Sequence, residues 1–277
     1  MLLFLVKEKI IIFNEEIFEL IATNVKYIER KYPHYFQPEI KPFMTKEWIS
    51  KQKYYYIKDM IKDLKEELPE DFEENREKGE NESYICQLIR DDLVKEFIVY
   101  VNQNNYPLDS RIKRTIYETN YYINKEYFRS LLNYALFFGS IQIIQYLISN
   151  GIKLDLWSLK ISVYSNNPEL IHLIERYDTK MTKYQYETVY KKSIKCHHNE
   201  IANYIKNTYL CDCEDSKYLF CALKNYNIHF IQPEFIQNEY FYDLCLFDYY
   251  HIVDVLVKNE NFDINNIRTY KGILKLQ

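Results

Sequence analysis

Apolar residues recur at helical spacing along most of the chain. The clearest instance is SLLNYALFFGSIQIIQYLISNG, from Ser130 to Gly151, which reads as two short helices divided by one glycine. Three later stretches fall on its second half when aligned at that glycine: SNNPELIHLIE with Asn166 over Gly139, CHHNEIANYIK with His197 there, and FDYYHIVDVLV with Asp248. Ile143, Leu170, Ile201 and Ile252 then share a column, Ile144, Ile171, Ala202 and Val253 the next, and Leu147, Ile174, Ile205 and Leu256 a third. Gln145, His172, Asn203 and Asp254 are polar between them. Apolar at i, i+1 and i+4 with a polar residue at i+2 describes one buried helix face, repeated.

The helix before the glycine repeats more loosely. Leu132, Leu159, Tyr190 and Phe241 form a column of large side chains, and Ala135, Ser162 and Ser193 a column of small ones, broken by Leu244. SKYLFCALKNYN, from Ser216, fits the first helix with Cys221 and Ala222 as its small pair, and Pro233 truncates its second helix. DDLVKEFIVYVNQNN is an earlier, weaker copy, and SRIKRTIYETN a degenerate unit after it. Gly139 sits where two antiparallel helices turn, a place that requires positive φ, and Asn166, His197 and Asp248 are types that reach left-handed geometry more readily than most. Gly151 reads as the C-cap of the second helix.

Ahead of these units, TKEWISKQKYYYIKDMIKDLKEEL predicts one long amphipathic helix, with Thr45 as N-cap and Ile49, Tyr56, Met60, Leu64 and Leu68 on one side. PEDFEENREKGENES, from Pro69 to Ser83, is acidic and apolar-poor and reads as a solvated linker. The expected organisation is an N-terminal helical region over residues 1–80, capping a repeat domain over residues 81–277.

The fold class that follows is all-α: an α-solenoid of stacked helix-turn-helix units with an N-terminal helical segment. Ser130 to Gly151 resembles one ankyrin repeat, whose usual pattern is TPLHxAAxxGHxxIVxxLLxxGA, with Leu132, Ala135, Gly139, Ile143, Ile144, Leu147 and Gly151 on matching positions. Ser130-Leu131 replaces Thr-Pro, and Asn133 replaces the histidine. GSIQIIQYL, NNPELIHLIE and KCHHNEIANYIK resemble a divergent, greatly expanded ankyrin subfamily of parasitic protists, and the resemblance covers roughly residue 82 to the C-terminus. Asn166 follows Gly139 by 27 residues, against about 33 for an ankyrin unit, so the β-finger between them is expected to be short or absent.

That resemblance implies a non-catalytic scaffold or adaptor, with a protein partner docking on the concave face. The two positions before each turn carry the contacts: Phe137 and Phe138, Tyr164 and Ser165, Lys195 and Cys196, Leu223 and Lys224, Leu246 and Phe247. Lys153 and Asp155, in the connection after Gly151, complete the row. One of Phe137 and Phe138 is expected to turn inward, and Trp157 reads either as core, the favoured place, or as an exposed anchor. Rigid aromatics with interspersed lysine suit a protein-binding hot spot.

Charge and chemistry narrow the picture further. A formal net charge of -4 lacks the basic footprint of nucleic-acid binders. No stretch approaches the ~20 apolar residues of a membrane span, and MLLFLVKEKIIIF has no positive region ahead of a sustained apolar run. A soluble, cytoplasmic monomer without membrane partners is expected. The six cysteines lack framework spacing and read as reduced thiols. The four glycines exclude GxGxxG, GxxxxGK and GxSxG motifs, and no His is followed by Glu, so HExxH is absent. No catalytic residue, metal or cofactor is assigned. The alternative is a zinc site or a zinc- or thiol-dependent enzyme around Cys196, His197 and His198, with Cys211, Cys213 and Cys221 nearby in sequence; the spacing matches no usual zinc framework.

Overall fold

The computed structural model describes residues 12–24, 31–64, 67–120, 122–124, 129–155, 157–177, 181–232, 236 and 240–258. Among these the chain is all-helical: seventeen α-helices, no strand, and one isolated antiparallel bridge between Arg111 and Ser130. Two compact units divide it, Met1–Tyr134 and Ala135–Gln277. The boundary expected after residue 80 falls within the first of these units.

The first unit opens with α1 (Glu15–Asn24), α2 (Lys31–Tyr35), α3 (Gln37–Ile40), α4 (Lys46–Lys51) and α5 (Tyr55–Asp63). Phe18, Ile21, Tyr35, Phe36, Ile40, Ile57, Met60, Ile61 and Leu64 form one apolar cluster, with Trp48 and Phe43 against Phe18. The single long helix read over 45–68 is two helices. Thr45 does cap the first, accepting from Trp48 N at 3.1 Å. A continuous helix would place Lys53 on the stripe between Ile49 and Ile57; the break over 52–54 leaves it exposed instead.

The acidic stretch after Pro69 is no solvated linker. It folds as α6 (Phe72–Lys78), which buries Phe72 against Tyr117 at a centroid distance of 5.7 Å. Half-buried Arg76 pairs with Glu39 at 2.9 Å and donates to the Tyr35 carbonyl at 3.2 Å, while Thr119 N donates to Gly79 O at 3.0 Å. One buried aromatic and one two-sided arginine outweigh the acidic composition. α7 (Tyr84–Arg90) and α8 (Val94–Gln103) pack as a pair turned at Asp92, which has φ 48°. The degenerate unit expected at SRIKRTIYETN has no helix; residues 110–120 are irregular and anchored by the bridge to Ser130.

After α9 (Leu131–Phe138) the second unit continues as short helices in pairs: α10 (Ile141–Ser149); α11 (Ser158–Ser162), prolonged by a 3₁₀ turn over 163–165, with α12 (Pro168–Tyr177); α13 (Lys183–Lys195) with α14 (Asn199–Tyr209); α15 (Ser216–Lys224), followed by a 3₁₀ turn over 228–230, with Pro233 outside the described residues; α16 (Phe241–Leu246) with α17 (Tyr250–Val257). No strand lies between the first two pairs among the described residues. Within pairs, α11 packs on α12, α13 on α14 and α16 on α17; between pairs, α11 packs on α13, α13 on α15 and α15 on α16. The columns read from the sequence are buried in the first three pairs: Ile143, Ile144, Leu147, Leu170, Ile171, Ile174, Ile201, Ala202 and Ile205 are all buried, while Ile252, Val253 and Leu256 of the last are half-buried; Gln145, His172, Asn203 and Asp254 are exposed. Each fully buried aliphatic side chain is worth about 1.5–3 kcal/mol, so the repeated face is the main source of stability in each pair.

Gly139, Asn166, His197 and Asp248 all adopt positive φ, at 78°, 52°, 60° and 62°, and Gly151 does so at 90°. The residue after the left-handed one donates back to the carbonyl five positions earlier: Ser140 to Ala135 at 3.0 Å, His198 to Ser193 at 3.0 Å and Tyr249 to Leu244 at 2.9 Å. This bond satisfies a carbonyl orphaned at the helix end. The α15 unit makes the same bond from Asn227 to Ala222 at 3.0 Å, with Tyr226 at φ 54° as its left-handed residue.

Candidate interaction surface

Counting back from each left-handed residue puts the surface in register. Three positions before the turn stand Leu136, Val163, Ile194 and Leu223, all 0% exposed. Leu223 thus belongs to the core and leaves the docking row. The error is one residue: Asn225, the better left-handed former by type, is passed over for Tyr226, so Lys224 and Asn225 hold the two positions before that turn.

The remaining row is ordered. Phe137 and Phe138 meet edge to face at 5.2 Å, and Phe137 stacks on Tyr164 with centroids 4.9 Å apart. Both phenylalanines stay half-buried, so neither turns fully inward. Ser165 serves the turn, its Oγ donating to Ser162 O at 2.7 Å. Lys195 and Lys224 are exposed and Cys196 is half-buried. Leu246 is 57% exposed, while half-buried Phe247 meets Phe220 edge-on at 5.8 Å. Lys153 is exposed. Asp155 starts the next helix, its Oδ1 accepting from Trp157 N at 2.9 Å and Ser158 Oγ at 3.0 Å. Trp157, favoured for the core, is 47% exposed with the Lys160 ammonium 4.7 Å from its ring centroid.

Sequence reading missed Lys192. It lies five residues before His197, in the column where Ile161 is buried, and its Nζ stands 3.8 Å from the Tyr164 ring centroid. Burial lowers its pKa to about 8; Lys195 and Lys160 push the same way and Cys196 opposes. A buried ammonium is costly unless compensated, and an aromatic face supplies part of that compensation. Its column is mixed, Tyr134, Ile161, Cys221 and Asp243 holding the equivalent places, so the sequence carried no clear signal for it.

In the cysteine–histidine group both imidazoles meet backbone carbonyls. His197 Nε2 donates to Asn225 O at 2.8 Å, and His198 Nδ1 donates to Val163 O at 2.6 Å. Each imidazole thereby ties its turn to a neighbouring unit's turn. Asn227 adds a further tie, donating to Ile194 O and to Asn199 Oδ1, both at 2.9 Å. Burial raises the Cys196 thiol pKa, with Lys192 and Lys195 pulling it down less strongly, so the thiolate is disfavoured. Cys211 is exposed and Cys213 half-buried. Among the described residues no three His, Cys, Asp or Glu side chains converge as a metal site would require.

An open depression on α12, about 530 Å³, is lined by Glu169, His172, Glu175 and Arg176. There the Glu175 Oε2 accepts from Tyr204 OH at 2.8 Å and lies 3.4 Å from His172 Nδ1. Among the described residues no helix is long and apolar enough to cross a membrane. No family model, curated protein or solved structure matches the chain.

Proposed function

We propose that the second half of the chain is a divergent ankyrin-type solenoid and serves as a non-catalytic scaffold that captures a protein on its concave face. The observation that carries this reading is the recurrent turn. A left-handed residue, the same backward hydrogen bond and a buried residue three positions earlier recur at Gly139, His197 and Tyr226, and first helices neighbour first helices from α11 through α16. Such units each bury a face only against a neighbour, and the row of pre-turn side chains becomes a continuous surface. In this reading Phe137, Phe138, Tyr164, Lys195, Lys224, Leu246 and Phe247 are the contact row, and Lys192 supports Tyr164 from below.

The zinc or thiol enzyme has less in its favour. Both histidines are engaged by backbone carbonyls, and the adjacent thiol is held protonated rather than activated. Metal analysis of untagged protein checks it: stoichiometric zinc lost in Cys211→Ser or Cys213→Ser would restore that alternative.

The test of the scaffold is capture from cell lysate by the wild-type chain and by a Tyr164→Glu, Lys195→Glu, Leu246→Glu variant. The expected outcome is a specific protein retained by the wild type and lost by the variant at unchanged far-ultraviolet circular dichroism. Undiminished capture by the variant would remove the pre-turn row as the docking site.

A further inference from the structure

The first-helix face carries a charge the whole chain does not. Lys191, Lys192 and Lys195 share one stripe of α13, at helical spacing i, i+1 and i+4. Cys221, on neighbouring α15, donates its thiol to Lys191 O at 3.6 Å, and the Lys191 ammonium lies 5.8 Å from the Tyr218 ring centroid, so this stripe faces the helix that carries Lys224. Lys160 of α11 adds its charge near Lys192, as Lys195 does. Glu187 lies one turn earlier on the same stripe, and Lys217 engages it at 2.7 Å. A chain of net charge -4 therefore gathers a cationic band beside the stacked Phe137–Tyr164 pair.

We infer that this band receives an acidic peptide segment of the partner, with carboxylates against the exposed Lys191, Lys195 and Lys224 and an apolar side chain against Phe137 and Tyr164. The inference rests on the protein-docking reading and gives the partner its chemistry. Charge complementarity steers encounter and selects among partners more than it adds raw affinity. Lys192 lies beneath the band, its buried ammonium against the Tyr164 ring, and adds positive charge under the exposed lysines. A nucleic acid fits less well. Phe137 and Tyr164 stack on each other, leaving no slot between them for a base, and a long polyanion meets a chain that is acidic overall.

The experiment uses the full chain and three fluorescent probes: a peptide alternating Glu and Tyr, its Gln and Tyr counterpart, and a single-stranded oligonucleotide of equal charge. Fluorescence anisotropy is read for the wild type, for Lys191→Gln with Lys224→Gln, two exposed positions chosen to spare the fold, and for Phe137→Ala. The expected result is saturable binding of the acidic peptide, at least about tenfold tighter than the neutral one. The lysine variant should weaken it about fivefold or more, from two surface charges at up to ~1 kcal/mol each, with unchanged circular dichroism. Equal binding of acidic and neutral peptides, both lost in Phe137→Ala, overturns the acidic partner and leaves the docking face standing. Failure of both peptides overturns the acidic partner and counts against the face as well. Tighter binding of the oligonucleotide overturns it in favour of nucleic acid.

Discussion

A Cβ placed on Gly139 would stand 3.0 Å from the Ser165 Cβ, at a backbone φ of +78°, whereas one placed on Gly151, at +90°, would meet nothing within 4 Å. The two glycines answer the same conformational need, and only Gly139 also answers a steric one. Gly139→Ala is therefore expected to cost about 2 kcal/mol or more, left-handed strain plus contact, and Gly151→Ala about 1 kcal/mol from strain alone. Urea unfolding midpoints at constant m-value check the order, and equal costs would show that Ser165 yields freely. At this scale the sequence was legible where residue type and geometry agree. Gly139, Asn166, His197 and Asp248 are turn formers and sit in turns. It was illegible where packing overrides type: Tyr226 takes the left-handed place next to an available asparagine, its ring stacked on Tyr249 at 5.7 Å. Lys192 likewise looks like a surface residue until its stem is seen buried beside Tyr164.

Helices here are short, and side chains at their turns supply what length cannot. His198 is the strongest such tie, reaching back to the Val163 carbonyl from the turn before α14. Burial holds its folded pKa below the ordinary 6.5, with the Val163 hydrogen bond opposing and the charges of His197 and Lys192 adding to the depression. The unfolded chain therefore takes up this proton first as pH falls. The contribution of neutral His198 is complete above about pH 6.5, declines as pH drops toward the folded pKa, and stays lost below it. Denaturant midpoints between about pH 8 and pH 5 should decline more steeply for wild type than for His198→Asn; parallel profiles would show that the imidazole does not titrate in the fold. At the scale of elements, the break between α4 and α5 was readable, because Lys53 interrupts the apolar stripe, but the regular spacing on either side masked it. α6 was hidden by its charge: four acidic residues between Glu70 and Glu74 conceal that Phe72 is buried and that Arg76 is held from two sides.

For the molecule as a whole, periodicity alone carried the all-helical class and the second-helix face of each pair, since both depend on one repeated pattern. The division of the chain depends on long-range contacts such as Phe72 with Tyr117 and Arg76 with Glu39, which no local pattern records. The row before the turns was half legible, because its register hangs on which residue turns left-handed. One further feature sets how the second unit behaves in time. In α14, Ile201, Ala202 and Ile205 are 0–1% exposed, whereas their counterparts in α17, Ile252, Val253 and Leu256, are only half-buried and Val255 is 69% exposed. Fewer buried contacts make local opening easier in α17 than in α14. Backbone amides of α17 should trade hydrogen for deuterium roughly tenfold or more faster than those of α14, as mass spectrometry of quenched peptic fragments would report. Breathing of the second unit thus reaches α17 well before it reaches the α13–α14 pair.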